Sequence, residues 1–166
     1  MFAPSLTKEI ERAQRYGISL SVIIVDFDNF KLINDTFGHL NGDKVLIETA
    51  RILKSCIRIN DTLGRWGGEE FLIILPHTNA KSATIVAEKM RKALEAQEWD
   101  VVGQQTASFG IASCAANDCI AAIIDKADTA LYEAKKNGKN QIVLAEQDRT
   151  LDDTHGFLKL NWKPEY

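Results

Sequence analysis

Two short stretches of this 166-residue chain carry side chains suited to holding a charged ligand. The first is Asp26-Phe27-Asp28-Asn29-Phe30-Lys31, which follows the apolar run Leu20 to Val25 and leads into a helical pattern. Alternation along a strand puts Asp26 and Asp28 on the same side, and the ends of buried strands are favoured ligand positions. Two carboxylates beside a helix N-terminus can hold a hard cation and a phosphate together. The plainer reading is that Asp28 or Asn29 caps the helix; Asp26, directly behind the apolar run, is not placed to cap. The second stretch is Arg65-Trp66-Gly67-Gly68-Glu69-Glu70-Phe71. Two glycines at a hairpin tip let a bulky ligand approach the backbone, and two acids follow that could face Asp26 across a sheet. The alternative is an ordinary Gly-Gly turn with solvated acids.

The elements that must position these residues are legible in the periodicity. Helical patterns run from Leu6 to Tyr16, stopped by Gly17, and from Asn29 to Phe37, closed by Gly38. Another helix is expected to open at Asn41-Gly42-Asp43, with Leu46, Thr49, Ala50, Leu53 and Ile57 on one stripe. Ala80 to Ala96 and Cys119 to Lys136 are the two long helices that follow. Ser19 to Phe27 reads as a buried strand. Thr62 to Trp66 and Glu69 to Leu75 are joined at Gly67-Gly68 as a hairpin. Gln105 to Cys114 and Gln141 to Leu144 complete the strands. Strands and helices alternating around one hairpin argue for a single central sheet with helices packed on it, an α/β (α+β) class. Residues 1–145 form the expected domain. Residues 146–166 begin as a polar linker and end as an apolar, aromatic tail.

Composition excludes several classes. The chain is 45% hydrophobic and 26% charged, values of an ordinary globular protein. No apolar run approaches the ~20 residues of a membrane span, and Met1-Phe2-Ala3-Pro4 lacks the basic start of a secretion signal. The cytoplasm is the simplest location. A formal net charge of −3 argues against general nucleic-acid binding, so a polyphosphate ligand must be held locally by metal, backbone N–H groups and a few basic side chains. Cys56, Cys114 and Cys119 make no zinc pattern and read as reduced thiols. His77 and His155 read as surface residues, Trp66 and Trp99 as packing.

Taken together, the motifs resemble the GGDEF domain, the diguanylate cyclase family. Gly67-Gly68-Glu69-Glu70-Phe71 matches its signature in the GGEEF form, and Asp26 to Asp35 matches D-x-D-x-F-K-x-x-N-D. Gly38-His39-x-x-Gly42-Asp43 matches G-H-x-x-G-D. Ala107 to Ala112 carries the S-x-G-I-A strand. Asp128 to Asn140 matches D-x-A-L-Y-x-A-K-x-x-G-(R/K)-N. The matches keep family order from about Arg12 to Val143; each is weak alone, and five at family spacing are strong.

The resemblance implies a palm-like nucleotide cyclase fold, with a mostly antiparallel five-stranded sheet flanked by helices. It implies the condensation of two GTP into cyclic di-GMP. Asp26, Glu69 and the backbone carbonyl of Phe27 would hold Mg²⁺ or Mn²⁺, and Glu70 would support the metal site or the reacting hydroxyl. Backbone N–H groups around Asp28 to Lys31, with Phe30 in that turn, and the side chains of Lys31, Lys135 and Lys139 would bind the triphosphate. Lys139 stands where the family commonly has arginine, which keeps the charge and loses the planar fork. Asn34 and Asp43 would read guanine, with His39 near the nucleotide. Without the family, Asp43 reads as a helix N-terminal charge and Asn34 as a turn residue. Two such domains must face each other, so a homodimer is implied. Arg58-Ile59-Asn60-Asp61 matches the family's R-x-x-D inhibitory site for cyclic di-GMP. Its plainer reading is a helix C-terminal Arg followed by an Asx turn.

Two departures stand out. The family's opening D-x-L-T-G-L-x-N-R segment is missing before the first helix, which suggests a domain taken from a longer protein with sensory or other parts. The tail from Phe157 to Tyr166 resembles, over one short stretch, the opening of a hemerythrin-like domain. Rival readings are a non-catalytic cyclic di-GMP receptor, a mononucleotide cyclase of the palm fold, and a structural module. The receptor reading expects the active-site acids to be lost, yet Asp26, Glu69 and Glu70 are all present.

Overall fold

In the computed structural model the described residues are 3–115 and 117–146. Chain order is α1 (Ala3–Tyr16), β1 (Leu20–Phe27), α2 (Phe30–Phe37), α3 (His39–Cys56), β2 (Thr62–Arg65), β3 (Glu70–Pro76), α4 (Ala80–Glu95), β4 (Ala107–Ser113), α5 (Ile120–Lys136) and β5 (Ile142–Leu144). The strands form one sheet in the order β2-β3-β1-β4-β5. All neighbours are antiparallel except β4 and β5. The expected mostly antiparallel five-stranded sheet with its hairpin is therefore the observed one. The tail expectation for residues 146–166 lies outside the described residues, Glu146 apart. No helix among the described residues is long and apolar enough to cross a membrane.

The central strand explains the architecture. Along β1, Ile23, Val25 and Phe27 join a core with α2, α3 and α4, while Leu20, Val22 and Ile24 join a second core with α1 and α5. A strand covered on both faces needs apolar side chains in both directions, hence its near-continuous Val/Ile run. At the end of that run Asp26 still follows the alternation, on the face of α5. Antiparallel pairing sets Asp26 opposite Glu70 on β3 and Ser108 on β4.

One expectation changes. The third helix begins at His39, because Gly38 takes φ +81° and both closes α2 and starts α3. That left-handed backbone is open to glycine at little cost. Gly42 therefore lies inside the helix, buried, and Asp43 lies beyond the first turn, where a charge no longer meets the positive helix end. The plain dipole reading of Asp43 loses its basis. The three cysteines are free thiols. His77 is exposed, and Trp66 and Trp99 pack against the two cores.

Candidate active site

The site gathers at the C-terminal end of β1. Asp26 and Phe27 are its last residues, Glu69 sits at the tip of the β2–β3 hairpin, and Glu70 opens β3 opposite Asp26. The tip is tightly built. The carbonyl of Glu70 accepts from the backbone N–H of Trp66 at 2.8 Å, closing the hairpin. The Arg65 guanidinium donates through Nε and Nη2 to the carbonyl of Gly68 at 2.9 and 2.6 Å. The Glu70 side chain folds over the Gly67 backbone, its Oε2 lying 2.8 Å from where a Cβ at Gly67 would be; a methyl there would displace only that flexible carboxylate end.

Asp26 is a carboxylate with unmet demands. Its Oδ1 is buried and accepts no well-directed hydrogen bond. Lys135 Nζ approaches Oδ1 to 3.2 Å, an ion pair whose direction leaves the oxygen otherwise unsatisfied. Burial raises the Asp26 pKa above the ordinary carboxylate value; Lys135 opposes that shift, and the charges of Glu69 and Asp28 add to it. The Lys135 ammonium also lies 3.1 Å from Asp28 Oδ1 and donates to the Phe27 carbonyl at 3.2 Å. One positive charge is thus held by two carboxylates and a backbone carbonyl.

A hard divalent cation fits this chemistry. Among the described residues no group of three or more His, Cys, Asp or Glu side chains converges, so the protein offers no complete cage. Mg²⁺ characteristically takes one or two carboxylates and leaves the rest to water and substrate phosphates. Asp26, Glu69 and the Phe27 carbonyl, at one end of the sheet, are oxygen donors of the kind that would make such a partial set.

Asp28 belongs to a different structure from the one its position suggested. It is buried and does not cap α2. Thr106 Oγ1 and Ser108 Oγ donate to it at 2.7 and 2.8 Å, and the backbone N–H of Asn140 at 3.0 Å. Its own N–H is spent on the Thr106 carbonyl at 2.9 Å. A carboxylate so thoroughly satisfied ties the end of β1 to β4 and to the turn after α5. The cap of α2 is Asn29, in a left-handed conformation with φ 58° and no side-chain cap bond. The following N–H groups, Phe30 and Lys31 among them, belong to the first helical turn, which has no acceptors within the helix. Lys31 is exposed there, and the exposed Lys139 donates its ammonium to Asn29 Oδ1.

A groove of about 530 Å³ runs between α3 and the β2–β3 ribbon, lined by Asp43, Leu46, Leu63, Gly64 and Phe71 among others. Asn34 lies against the same helix, since a methyl at Gly42 would come within 1.9 Å of Asn34 Oδ1. His39 is exposed at the start of α3. On the far side of the hairpin, Arg58 is exposed and Asp61 is buried. Asp61 Oδ2 accepts from the Arg58 backbone N–H at 2.8 Å, so this carboxylate also shapes its own turn.

Sequence reasoning left Thr106, Ser108 and Arg65 without roles. A polar Ser108 inside a buried strand run was the available signal. For Arg65, which grips a carbonyl three residues on, local sequence offered none.

The comparisons with known proteins agree with this geometry. The family described as diguanylate cyclase, GGDEF domain, matches residues 1–141. Diguanylate cyclase A of Treponema denticola is 43% identical over 134 residues, covering 78% of this chain and 36% of that protein. The response regulator PleD of Caulobacter vibrioides is 39% identical over 140 residues, covering 81% of this chain and 31% of that protein. The chain thus spans about a third of the length of these curated relatives. Among solved structures, the active GGEEF domain of a diguanylate cyclase from Vibrio cholerae superposes with a TM-score of 0.83 at 37% identity, covering 87% of this chain and 94% of the other. The GGDEF domain of DgcB from Caulobacter crescentus, in complex with c-di-GMP, gives 0.83 at 28% identity, with 87% and 88% covered. By sequence match and by fold, this chain belongs to the GGDEF domain family.

Proposed function

We propose that this domain is a diguanylate cyclase, condensing two GTP molecules into cyclic di-GMP and two pyrophosphates. The observation that carries the reading is Asp26: a buried carboxylate whose Oδ1 has only the Lys135 ammonium, 3.2 Å away, as a partner, beside Glu69 at a glycine-built hairpin tip. An acid kept in that state is poised for a cation. The diguanylate cyclase names of its relatives support the same conclusion.

In each half-reaction the 3′-hydroxyl oxygen of one GTP attacks the α-phosphorus of the other. The new O–P bond forms as the bond from the α-phosphorus to the bridging oxygen breaks; pyrophosphate leaves with the electron pair, and the hydroxyl proton passes to a site carboxylate or to water. Asp26, Glu69 and the Phe27 carbonyl would hold Mg²⁺ or Mn²⁺, which when bound offsets charge developing on the phosphates and favours the ionised hydroxyl. Glu70, opposite Asp26, supports that site or the reacting hydroxyl. The first-turn N–H groups of α2, with Lys31, Lys135 and Lys139, hold the triphosphate. Guanine lies in the α3 groove. The Asp43 carboxylate accepts from its N1–H and N2–H₂ edge, Asn34 adds a second polar contact, and His39 stands at the rim. Adenine lacks that donor pair, so GTP is preferred over ATP. One domain holds one GTP; two domains therefore face each other, and a homodimer is the active species.

Incubating the purified chain at high concentration with GTP and Mg²⁺, and separating the products by chromatography, tests the reading. Cyclic di-GMP is expected, and Glu69→Gln is expected to abolish it. Absence of product from a folded, forcibly dimerised chain would overturn the cyclase reading in favour of a receptor.

Product inhibition completes the proposal. Arg58 is free to grip a phosphate or stack on guanine, with the Asp61 carboxylate beside it. Arg58→Ala is expected to raise the concentration of cyclic di-GMP giving half-inhibition by about tenfold, the effect of losing one charge-assisted contact. The initial rate without product should stay near the parent value. Inhibition curves unchanged by the substitution would remove Arg58 from any such site.

A further inference from the structure

A polar network on α4 reaches the phosphate-binding end of the fold from outside the site. Arg91, largely buried, donates from Nη1 to Glu95 Oε2 at 3.0 Å and to Asn140 Oδ1 at 2.9 Å. Its Nε and Nη2 donate to the Glu88 carboxylate at 2.8 and 2.9 Å. Asn140 Nδ2 in turn donates to Glu95 Oε1 at 2.8 Å. Each end of the Asn140 amide thus meets a charged partner of the matching kind, which fixes its orientation.

What this network grips is a strained turn. Gly138, Lys139 and Asn140 have φ of 113°, 64° and 45° in succession. Glycine takes such angles freely and asparagine tolerates them, but lysine does so only when its surroundings insist. Three constraints act here. Lys139 N–H donates to the Ala134 carbonyl at 3.0 Å, Asn140 N–H donates to Asp28 Oδ2 at 3.0 Å, and the Asn140 side chain is clasped by Arg91 and Glu95. The first two come from the neighbourhood of the site. The third comes from a helix otherwise committed to the core beneath the sheet.

We propose that Arg91 and Glu95, acting through Asn140, are positioning residues that hold the 138–140 turn so that Lys139 projects toward the first turn of α2. The inference rests on the reading of Lys139 as a phosphate-binding residue. Without the clasp the turn relaxes toward ordinary backbone angles, and the Lys139 ammonium leaves the vicinity of Asn29. The cost falls on phosphate affinity. Arg91 is largely buried and its carboxylate partners are about a third exposed; a purely structural role for this network predicts the opposite balance, a loss of stability with phosphate affinity kept.

The test is calorimetric titration of the chain with inorganic triphosphate plus Mg²⁺, and separately with guanosine. Arg91→Ala and Asn140→Gly are each expected to weaken triphosphate binding about tenfold and to leave guanosine binding unchanged. Asn140→Gly also relieves the positive φ, so its melting temperature should stay near the parent's while affinity falls. Glu95→Gln keeps an oxygen for Asn140 Nδ2 and should retain most of the affinity. In a Lys139→Ala background, Arg91→Ala should have no further effect, since the two act in series. If Lys139→Ala weakens triphosphate binding and Arg91→Ala does not, the clasp is not a positioning device. If Lys139→Ala itself has no effect, the phosphate role of Lys139 fails first and this inference with it.

Discussion

Asp26→Asn should yield a protein that melts higher than the parent at neutral pH and makes no cyclic dinucleotide. The stability half follows from the sign of the pKa shift. Burial raises the folded-state pKa of Asp26 above the ordinary carboxylate value, and Lys135 only partly opposes this. The folded protein therefore binds this proton more tightly than the unfolded chain does. Stability contributed by the protonated form is lost as pH rises from the unfolded value through the raised folded value, and at pH 7 the full cost is present. Asparagine has no charge to desolvate. A gain on the order of 1 kcal/mol, about 4 °C in a domain of this size, is expected at pH 7, with the gap closing toward pH 4. The activity half follows from losing the carboxylate proposed to hold the cation, which should reduce turnover by about 10³-fold or more. Mn²⁺ binding by the variant should be lost in parallel. Thermal melts from pH 4 to 8, a Mn²⁺ titration and a product assay check all three. A variant less stable than the parent at pH 7 would make Asp26 a structural partner of Lys135 and nothing more.

Gly110→Ala is expected to be the most damaging single methyl in the domain. In a strand, glycine to alanine ordinarily gains about 0.5–1 kcal/mol by reducing the freedom of the unfolded chain. Here the added Cβ would sit 2.0 Å from the Ala127 carbonyl oxygen, 2.4 Å from the Leu131 nitrogen and 2.8 Å from the Leu131 Cβ. Two of these three atoms are helix backbone, which cannot rotate away as a side-chain end can. All of α5 must lift from β4, opening the core that holds Ile123, Ala127 and Leu131. Overpacking costs of about 3 kcal/mol therefore outweigh the entropic gain. Lys135 lies one turn beyond Leu131, so the same displacement pulls its ammonium from Asp26 and Asp28. Urea unfolding should show the loss, and any folded remainder should bind GTP more weakly. A midpoint within roughly 0.5 kcal/mol of the parent would mean that α5 does not rest on Gly110 as described.

The two substitutions mark the boundary between what is local and what is not. All ten elements were readable from sequence, because each has a pattern set by its own burial. The β1 run is apolar in both directions because the sheet is covered twice, and the Gly67-Gly68 step needs only the hairpin around it. The candidate acids Asp26, Glu69 and Glu70 were likewise readable, since strand alternation and a hairpin bring them to one end of the sheet. Only the start of α3 was misread. There a positive φ at Gly38 decided the boundary, and Asn41 looked like a cap but donates to the Phe37 carbonyl instead.

Tertiary structure alone decided what those side chains do. Asp26 and Asp28 share a strand side and a residue type, yet one has only the Lys135 ammonium beside its buried Oδ1 and the other accepts from Thr106, Ser108 and Asn140. Those donors are 78, 80 and 112 residues away along the chain, beyond the reach of any local pattern. The clasp of Arg91 and Glu95 on Asn140 has the same character. Periodicity reports whether a residue is buried. Which partner it meets once buried depends on strand order, and hydrogen bonds and charges, being short-ranged and directional, are settled only there.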